Sequence, residues 1–374
     1  MPNEFDIIVI GGGVVGSALA WGLARCRQRV AVLDEGDVAY RASRGNFALV
    51  WVQSKGFGMP RYSAWTIRSS NAWAGFAQTL KEETGIDVAH ARPGGLTLAL
   101  SEEEWASRAQ AMERLQSQPG MQRFEWEMLD HARVKQMVPQ IGPDVVGGSY
   151  SALDGHCNSL RLLRALNKGM QQLGATYLSG HRVTHLEHRA GAFRITTTLG
   201  ELHAGKIVIA AGIESGRLGA MVGLDIRVHP ERGQLIVTEK TAPFLHYPMS
   251  RVRQTDEGGV MIGDSQEDAG LDDAVTLPMI SSLAHRATRI FPELARLNVV
   301  RTWACLRVMT PDRFPIYEQS QTCPGAFSAV CHSGITLAAA HGLFLAPRIA
   351  EGHLPADEFG SFSTRRFDVP ALAA

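Results

Sequence analysis

Positions 5–10 form a short apolar run of strand length in which Asp6 is the sole polar residue. Residues 14–25 have helical composition, and 29–33 form a second β-branched run that stops at Asp34. Unbroken rather than alternating apolarity marks strands buried on both faces, so the pattern predicts a parallel β–α–β opening. Further helices are expected over 64–84, anchored by Trp65, Trp73, Phe76 and Leu80, and over 102–118, 160–173, 276–291 and 335–346. The glutamates that open 102–118 suit the positive end of a helix dipole. Strands are expected at 96–100, 206–211, 233–238, 259–263 and 327–330, with a hairpin at 183–187 and 193–197. The closing strand–glycine turn–helix resembles the opening one in kind.

Gly11-Gly12-Gly13-Val14-Val15-Gly16 joins the first strand to the first helix and matches G-x-G-x-x-G. Gly11 permits the tight turn, Gly13 lets backbone approach a pyrophosphate, and Gly16 lets helix and strand pack closely. The helix N-terminus, starting at Val14, then faces the phosphate charge. Asp34 follows Gly11 by 23 residues, near the roughly 20 expected of a carboxylate that holds a ribose hydroxyl. That acid opposes the extra phosphate of NADP. A lone glycine motif is weak evidence, and a structural glycine turn is the alternative. Strand, helix and acid together favour a dinucleotide. Just beyond, Ala42-Ser43-Arg44-Gly45-Asn46 is either a solvated surface loop or a loop that reaches the pyrophosphate or the ring it carries.

Composition narrows the partners. Lys plus Arg and Asp plus Glu both number 37 in 374 residues, so a nucleic-acid partner is not expected. Five scattered cysteines without CxxC exclude a disulfide scaffold and a zinc or iron–sulfur site, and no metal ligand set is identified. Glu4 and Asp6 stand where a signal peptide would be basic, and the triple glycine splits the apolar stretch 7–24, so no transmembrane segment is expected. A cytoplasmic location is expected, with a peripheral position at the inner face of the membrane left open.

Four stretches carry a family resemblance: IIVIGGGVVG at 7–16, ASRGNFALV at 42–50, KIVIAAG at 206–212, and RTWACLRVMTPDRFPIY at 301–317 with CHSGITLAAAHG at 331–342. Spread over nearly the whole chain, they resemble the FAD-dependent D-amino acid oxidase family, which includes glycine and sarcosine oxidases. ASRGNFALVWVQSKG at 42–56 narrows this to the catalytic β-subunits of heteromeric opine and D-hydroxyproline dehydrogenases. The resemblance implies an α/β chain with a Rossmann-like FAD-binding domain of the GR2 type, drawn from 1–85, 150–225 and 320–374. A substrate domain on a mixed, largely antiparallel sheet would be drawn from 86–149 and 226–319. It implies FAD contacts at Gly11, Gly13, Val14, Gly16, Asp34, Glu35, Ser43, Arg44, Gly45, Asn46, Val183, Ala211 and Gly212. Further contacts are implied around Cys305 and Arg307 and at Ser333, Gly334, Ile335 and Thr336.

Arg307 lies in an apolar segment, an expensive place for an uncompensated guanidinium. By resemblance it clamps the substrate carboxylate in a bidentate manner; the alternative is an ion pair with Asp312 or another acid. His332 opens the last glycine turn and is expected beside the flavin and the substrate, unless it is a surface residue next to a capping Ser333. Cys305 stands seven residues before Asp312, as does the cysteine that carries the flavin in sarcosine oxidase-like members. That subgroup has an aromatic residue where this chain has Arg307, so non-covalent FAD is favoured and a thioether at Cys305 is left open. Tyr247, with His246, Arg251, Glu231 and Arg232, is a candidate for the substrate side, and His156 is a candidate helix cap.

The expected reaction is oxidation of a carbon–nitrogen bond in a small amino acid or secondary amine: an opine, D-hydroxyproline, sarcosine or a D-amino acid. Hydride passes to flavin N5 and an imine is left. Electrons would leave to oxygen, a quinone, or partner subunits with further redox centres. Two alternatives stay open, a non-catalytic FAD-binding electron-relay or assembly subunit and a 2-hydroxy acid dehydrogenase of the same fold.

Overall fold

The computed structural model describes residues 4–36, 42–263 and 265–368; the remainder of the segments 1–85, 226–319 and 320–374 lies outside the described residues. The chain opens with β1 (Glu4–Ile10), α1 (Val14–Arg25) and β2 (Val30–Asp34), and continues into α2 (Pro60–Thr84). The middle block supplies α3 (Ser159–Gln172), β3 (Thr176–Ser179) and β4 (Gly200–Ile209). Then come β5 (His229–Lys240) and β6 (Val299–Met309), and finally β7 (Ile316–Gln319) and β8 (Ala326–Val330).

The central sheet runs β7-β8-β4-β1-β2-β3. Along this path it is parallel except for β7, which pairs antiparallel with β8; off the path, the hairpin of Val183–Arg189 and Ala192–Thr197 joins β4 antiparallel. Strands on either side of β1 come from opposite halves of the sequence, the reversal of order at which α/β sheets open a crevice beyond their carboxyl ends. Ile7, Ile8, Val9 and Val32 are fully buried, because helices and strands cover both faces. One core packs α1, α2 and α3 over Ile7, Val9 and Phe327. The other packs Ile8, Ile10 and Phe193 beneath the sheet.

A second, antiparallel sheet orders Val252–Gln254, Gly259–Ile262, β5 and β6. Its core includes Ile236 and Ile262, and it continues into the three-stranded sheet of residues 95–151 through Leu96, Leu129 and Val145. This combination is a mixed α/β fold with a largely parallel central sheet and antiparallel sheets elsewhere.

Two expectations change. The helix expected over 335–346 is broken: Ala338–Ala340 is α-helical, His341–Leu345 forms a π-turn, and Ala346–Glu351 resumes the α-helix. Pro347 has no N–H for the carbonyl four residues back, and an inserted π-turn absorbs the mismatch. Here α1 also crosses closely: a Cβ on Gly22 would stand 2.1 Å from the Gly342 carbonyl oxygen. Secondly, the helix at Ser159–Gln172 is capped by Asn158, whose Oδ1 accepts from Arg161 N–H at 3.1 Å, and not by His156. His156 instead bridges Ala91 and meets Arg253 Nη1 at 3.5 Å. The long strand β6 has no counterpart among the strands expected from the pattern, since Arg301 and Arg307 interrupt its apolar run.

Candidate active site

The β1–α1 turn is closed by backbone crowding. Gly11 has φ +111°, and a Cβ there would lie 2.3 Å from the Ala210 carbonyl oxygen. A Cβ on Gly16 would lie 1.9 Å from the Gly11 carbonyl oxygen, so α1 can rest on β1 only without it. Gly13 caps α1 with no side-chain cap of its own and no acid in the first turn, which leaves the positive end of the helix suited to an anion. The Ser43 hydroxyl accepts from Val14 N–H at 2.9 Å. Asp34 spans the neighbouring turns, its Oδ2 accepting from Gly12 N–H at 2.8 Å and its Oδ1 from Gly36 N–H at 3.0 Å.

A cavity of about 360 Å³ extends from this turn to the end of β8. Gly11, Gly13, Val14, Asp34 and Glu35 form its first wall, and Ser43, Arg44 and Asn46 its second. Val183, Ala211 and Gly212 close one end; His332, Gly334 and Ile335 close the other. Arg182 reaches Glu35 at 3.5 Å, and Arg217 donates to the Val183 carbonyl at 3.0 Å. Gly16 works behind the wall, as its helix–strand contact requires. The residues fit a dinucleotide: bare glycine backbone, a helix start whose N-cap residue is a glycine and an acid on the adjoining strand meet along one cleft.

Strand β6 divides its residues between two faces. Leu306 and Val308 line the cavity, whereas Cys305 and Arg307 alternate onto the opposite face. Cys305 is buried with Leu235 and Met261, and its thiol meets the Gly45 carbonyl at 3.6 Å. Burial pushes that thiol above its ordinary pKa. Gly45 itself is packed on Trp303 and Cys305.

Arg307 stands directly across from Glu231 in the β5–β6 register, and its Nη1 is 3.1 Å from Glu231 Oε1 and 2.6 Å from the Ser265 carbonyl. Of the acids weighed from the sequence, Asp312 goes elsewhere: it pairs with Arg366 at 2.6 Å. Glu231 divides its carboxylate, holding Arg313 at 2.6 Å as well. Arg232 is engaged with Glu267 and Asp272.

His332 is partly accessible to the cavity it lines. Burial and the positive charges of Lys55, Arg307 and Arg313 hold its imidazole well below the ordinary range, so it is neutral at physiological pH. Ser333 Oγ lies 3.4 Å from His332 Nδ1 and accepts from Lys55 Nζ at 2.9 Å and from the Tyr62 hydroxyl at 3.0 Å. Thr336 is turned into the core, where Trp51 N–H bonds its hydroxyl at 3.1 Å and Trp73 Nε1 bonds its carbonyl at 3.0 Å. Tyr247 packs edge-on to Tyr150 at 6.2 Å within the core of the second sheet, and His246 is exposed.

Sequence reasoning missed Lys55, Tyr62, Asn167, Tyr177 and Arg182. The last three line the cavity, and the first two reach Ser333 from outside its own segment. A lysine in the glycine-flanked stretch Ser54-Lys55-Gly56 was the available signal for the first.

A Rossmann-like crevice with a glycine-turn anion cradle, bordered by an antiparallel sheet that carries a paired arginine, defines a flavin-dependent oxidoreductase. The chain belongs to the family described as FAD dependent oxidoreductase, whose profile matches residues 6–348. FAD is therefore its cofactor, and nothing in the placement of Cys305 opposes non-covalent binding. Among similar proteins, an opine oxidase subunit of Agrobacterium tumefaciens (strain Ach5) is 46% identical over 97% of this chain and 98% of that protein. Glycine oxidase of Bacillus licheniformis is 26% identical over 98% of each. The crystal structure of glycine oxidase from Geobacillus kaustophilus superposes with a TM-score of 0.88 at 25% identity, covering 96% of this chain and 98% of that one. Among the described residues no helix is long and apolar enough to cross a membrane.

Proposed function

We propose that this chain is the amine-oxidising subunit of a heteromeric opine-oxidising assembly in the cytoplasm. The observation that carries the reading is Arg307, a cation held in place by Glu231 on the strand whose neighbours Leu306 and Val308 line the cofactor cavity. The 46% identity to an opine oxidase subunit over nearly the whole chain supports both the substrate class and the existence of partner subunits.

When bound, FAD supplies the hydride acceptor. The backbone of Gly11, Gly13 and Val14, with Ser43, Arg44 and Asn46, would hold its pyrophosphate, while Gly45 packs on Trp303 and Cys305 instead; Asp34 and Glu35 would hold the ribose. Val183, Ala211 and Gly212 would border the adenine end, and the turn from His332 to Ile335 the ring. Arg307 binds the carboxylate of the substrate and so fixes the carbon that loses hydride. Leu306 and Val308, on the other face of the same strand, line the cofactor cavity. His332, kept neutral among cations, is a weak base. This suits an amine, whose own lone pair drives the cleavage, better than a 2-hydroxy acid, whose hydroxyl proton must be removed by a base.

Anaerobic flavin reduction tests the reading with opines, D-hydroxyproline, sarcosine, glycine, D-amino acids and 2-hydroxy acids. Opine-type secondary amines are expected to bleach the flavin fastest. Faster bleaching by hydroxy acids, or none by any amine, rejects it. Reoxidation is expected to be slow in air-saturated buffer and fast with a quinone or the partner subunits.

A further inference from the structure

Two acids on opposite walls of the cofactor cavity are bridged by Arg182. Strands β2 and β4 flank β1 in the central sheet. Glu35 follows the last residue of β2, and Glu214 ends the turn Gly212–Glu214 that follows β4. Arg182 enters from the segment between β3 and the strand Val183–Arg189. Its Nε lies 3.5 Å from Glu35 Oε2, and its Nη2 lies 3.9 Å from Glu214 Oε2. The guanidinium therefore reaches from the carboxyl end of β2 towards that of β4, with β1 and its glycine turn between them. All three residues line the cavity.

Main chain fixes where this side chain starts. Thr198 N–H donates to the Arg182 carbonyl at 3.0 Å, and the Thr198 hydroxyl donates to the Gly180 carbonyl at 3.0 Å. Arg217, another cavity-lining residue, steadies the far end: its Nε donates to Glu214 Oε2 at 2.9 Å and its Nη2 to the Val183 carbonyl at 3.0 Å. The Arg182 side chain is 57% exposed and that of Glu214 43%. A residue that lines a cavity and is also half open to solvent stands at the mouth of that cavity. Ion pairs this long and this exposed contribute little to the stability of a fold. Here they set a cation between two carboxylates at the rim of a site that must accept two phosphate charges, where like charges would otherwise add. They also cover that rim with a group that opens easily.

We propose that Arg182 retains the cofactor: it covers the adenosine half of bound FAD, and FAD leaves when the ion pairs to Glu35 and Glu214 open. The inference rests on the reading that places the adenosine at the end of the cavity bordered by Val183 and Gly212. A planar guanidinium stacks on aromatic faces, so the adenine gives Arg182 a further partner once FAD is bound. Weak pairs suit the role, since loading needs the same bridge to open.

Release is followed by desalting diluted, FAD-loaded protein at intervals and measuring the flavin absorbance that stays with it. Arg182→Met should release FAD about 5- to 50-fold faster than the wild type. Arg182→Lys should regain part of the retention, and Glu214→Gln, which removes one pair, should fall between Arg182→Met and the wild type. Added salt should speed release more from the wild type than from Arg182→Met, because the ion pairs are what it screens. Arg194→Met removes an arginine that pairs with Glu187 away from the cavity lining, and it should release FAD at the wild-type rate. FMN, which lacks the adenosine, separates the inference from the reading beneath it. Arg182→Met should weaken the affinity of the apoprotein for FAD and leave that for FMN unchanged. Equal weakening for both flavins overturns the proposal together with the placement of the adenosine. FAD release that ignores Arg182 overturns the proposal alone.

Discussion

The two ends of the cavity are built by opposite strategies. At the β1–α1 turn, recognition lies in backbone drawn from fewer than 40 consecutive residues: Gly11, Gly13, Gly16 and Asp34 sit within one β–α–β unit. At the His332 end, the proposed substrate recognition lies in charged side chains that are strangers in sequence. Glu231, Arg307 and His332 come from two antiparallel strands and a glycine turn. The first end cannot vary without losing the fold, because it is made of main chain in contact with main chain. The second is made of side chains, any one of which can change without moving main chain.

The contrast can be broken at its rigid end first. Gly16→Val puts side-chain atoms where a Cβ alone would meet the Gly11 carbonyl at 1.9 Å, so the purified protein should carry almost no FAD and should unfold at much lower urea. Overpacking against backbone costs several kcal/mol. Retention of a full flavin complement, measured by absorbance, would show that α1 can shift aside.

At the adaptable end, Arg307→Ala should leave FAD content intact. It should weaken kcat/KM for carboxylate substrates by about 2–5 kcal/mol, part of which is the loss of a partner for Glu231. An unchanged kcat/KM for the best amine removes Arg307 from the substrate site.

A smaller effect distinguishes core from cavity by pH. His341 is buried against the Tyr317 hydroxyl at 2.8 Å, and burial lowers its pKa from 6.5 to about 3. The unfolded chain therefore binds a proton below pH 6.5 that the folded chain refuses, and stability falls as pH drops through that window towards 3. One such histidine contributes about 2 kcal/mol of loss between pH 6.5 and 5. His90 and His156, lowered to about 4, act in the same sense. His341→Gln should flatten the dependence of the urea midpoint on pH over this range; an equally steep curve would place the proton-linked loss elsewhere.

The smallest change is expected at Cys305. It faces Leu235 and Met261 rather than the cavity, so acid precipitation should leave a colourless pellet and yellow supernatant. Cys305→Ala should cost about 1 kcal/mol of stability. A yellow pellet would mean a covalent flavin.

The same division explains what could be read in advance. The opening β–α–β unit, its glycine spacing and Asp34 were legible because each feature is local: unbroken apolarity means burial on both faces, and glycine at fixed offsets means contact of backbone with backbone. The helix after β8 was legible as a helix but not as a broken one, because the π-turn answers to Pro347 and to a crossing by Gly22 from the far end of the chain. Strand β6 was legible only as an apolar segment around Arg307, since an arginine in a strand makes sense once the opposite residue is known.

The order of residues by itself determined where the chain must be buried, where it must turn and which turn can face a phosphate, since those follow from side-chain size, polarity and backbone freedom over a few neighbours. Tertiary structure alone decided that Arg307 meets Glu231 rather than Asp312, that Thr336 serves the core, and that Lys55 reaches Ser333 across 278 residues of sequence. Charges act through space over a few ångströms, and only the folded chain says which of them lie that close.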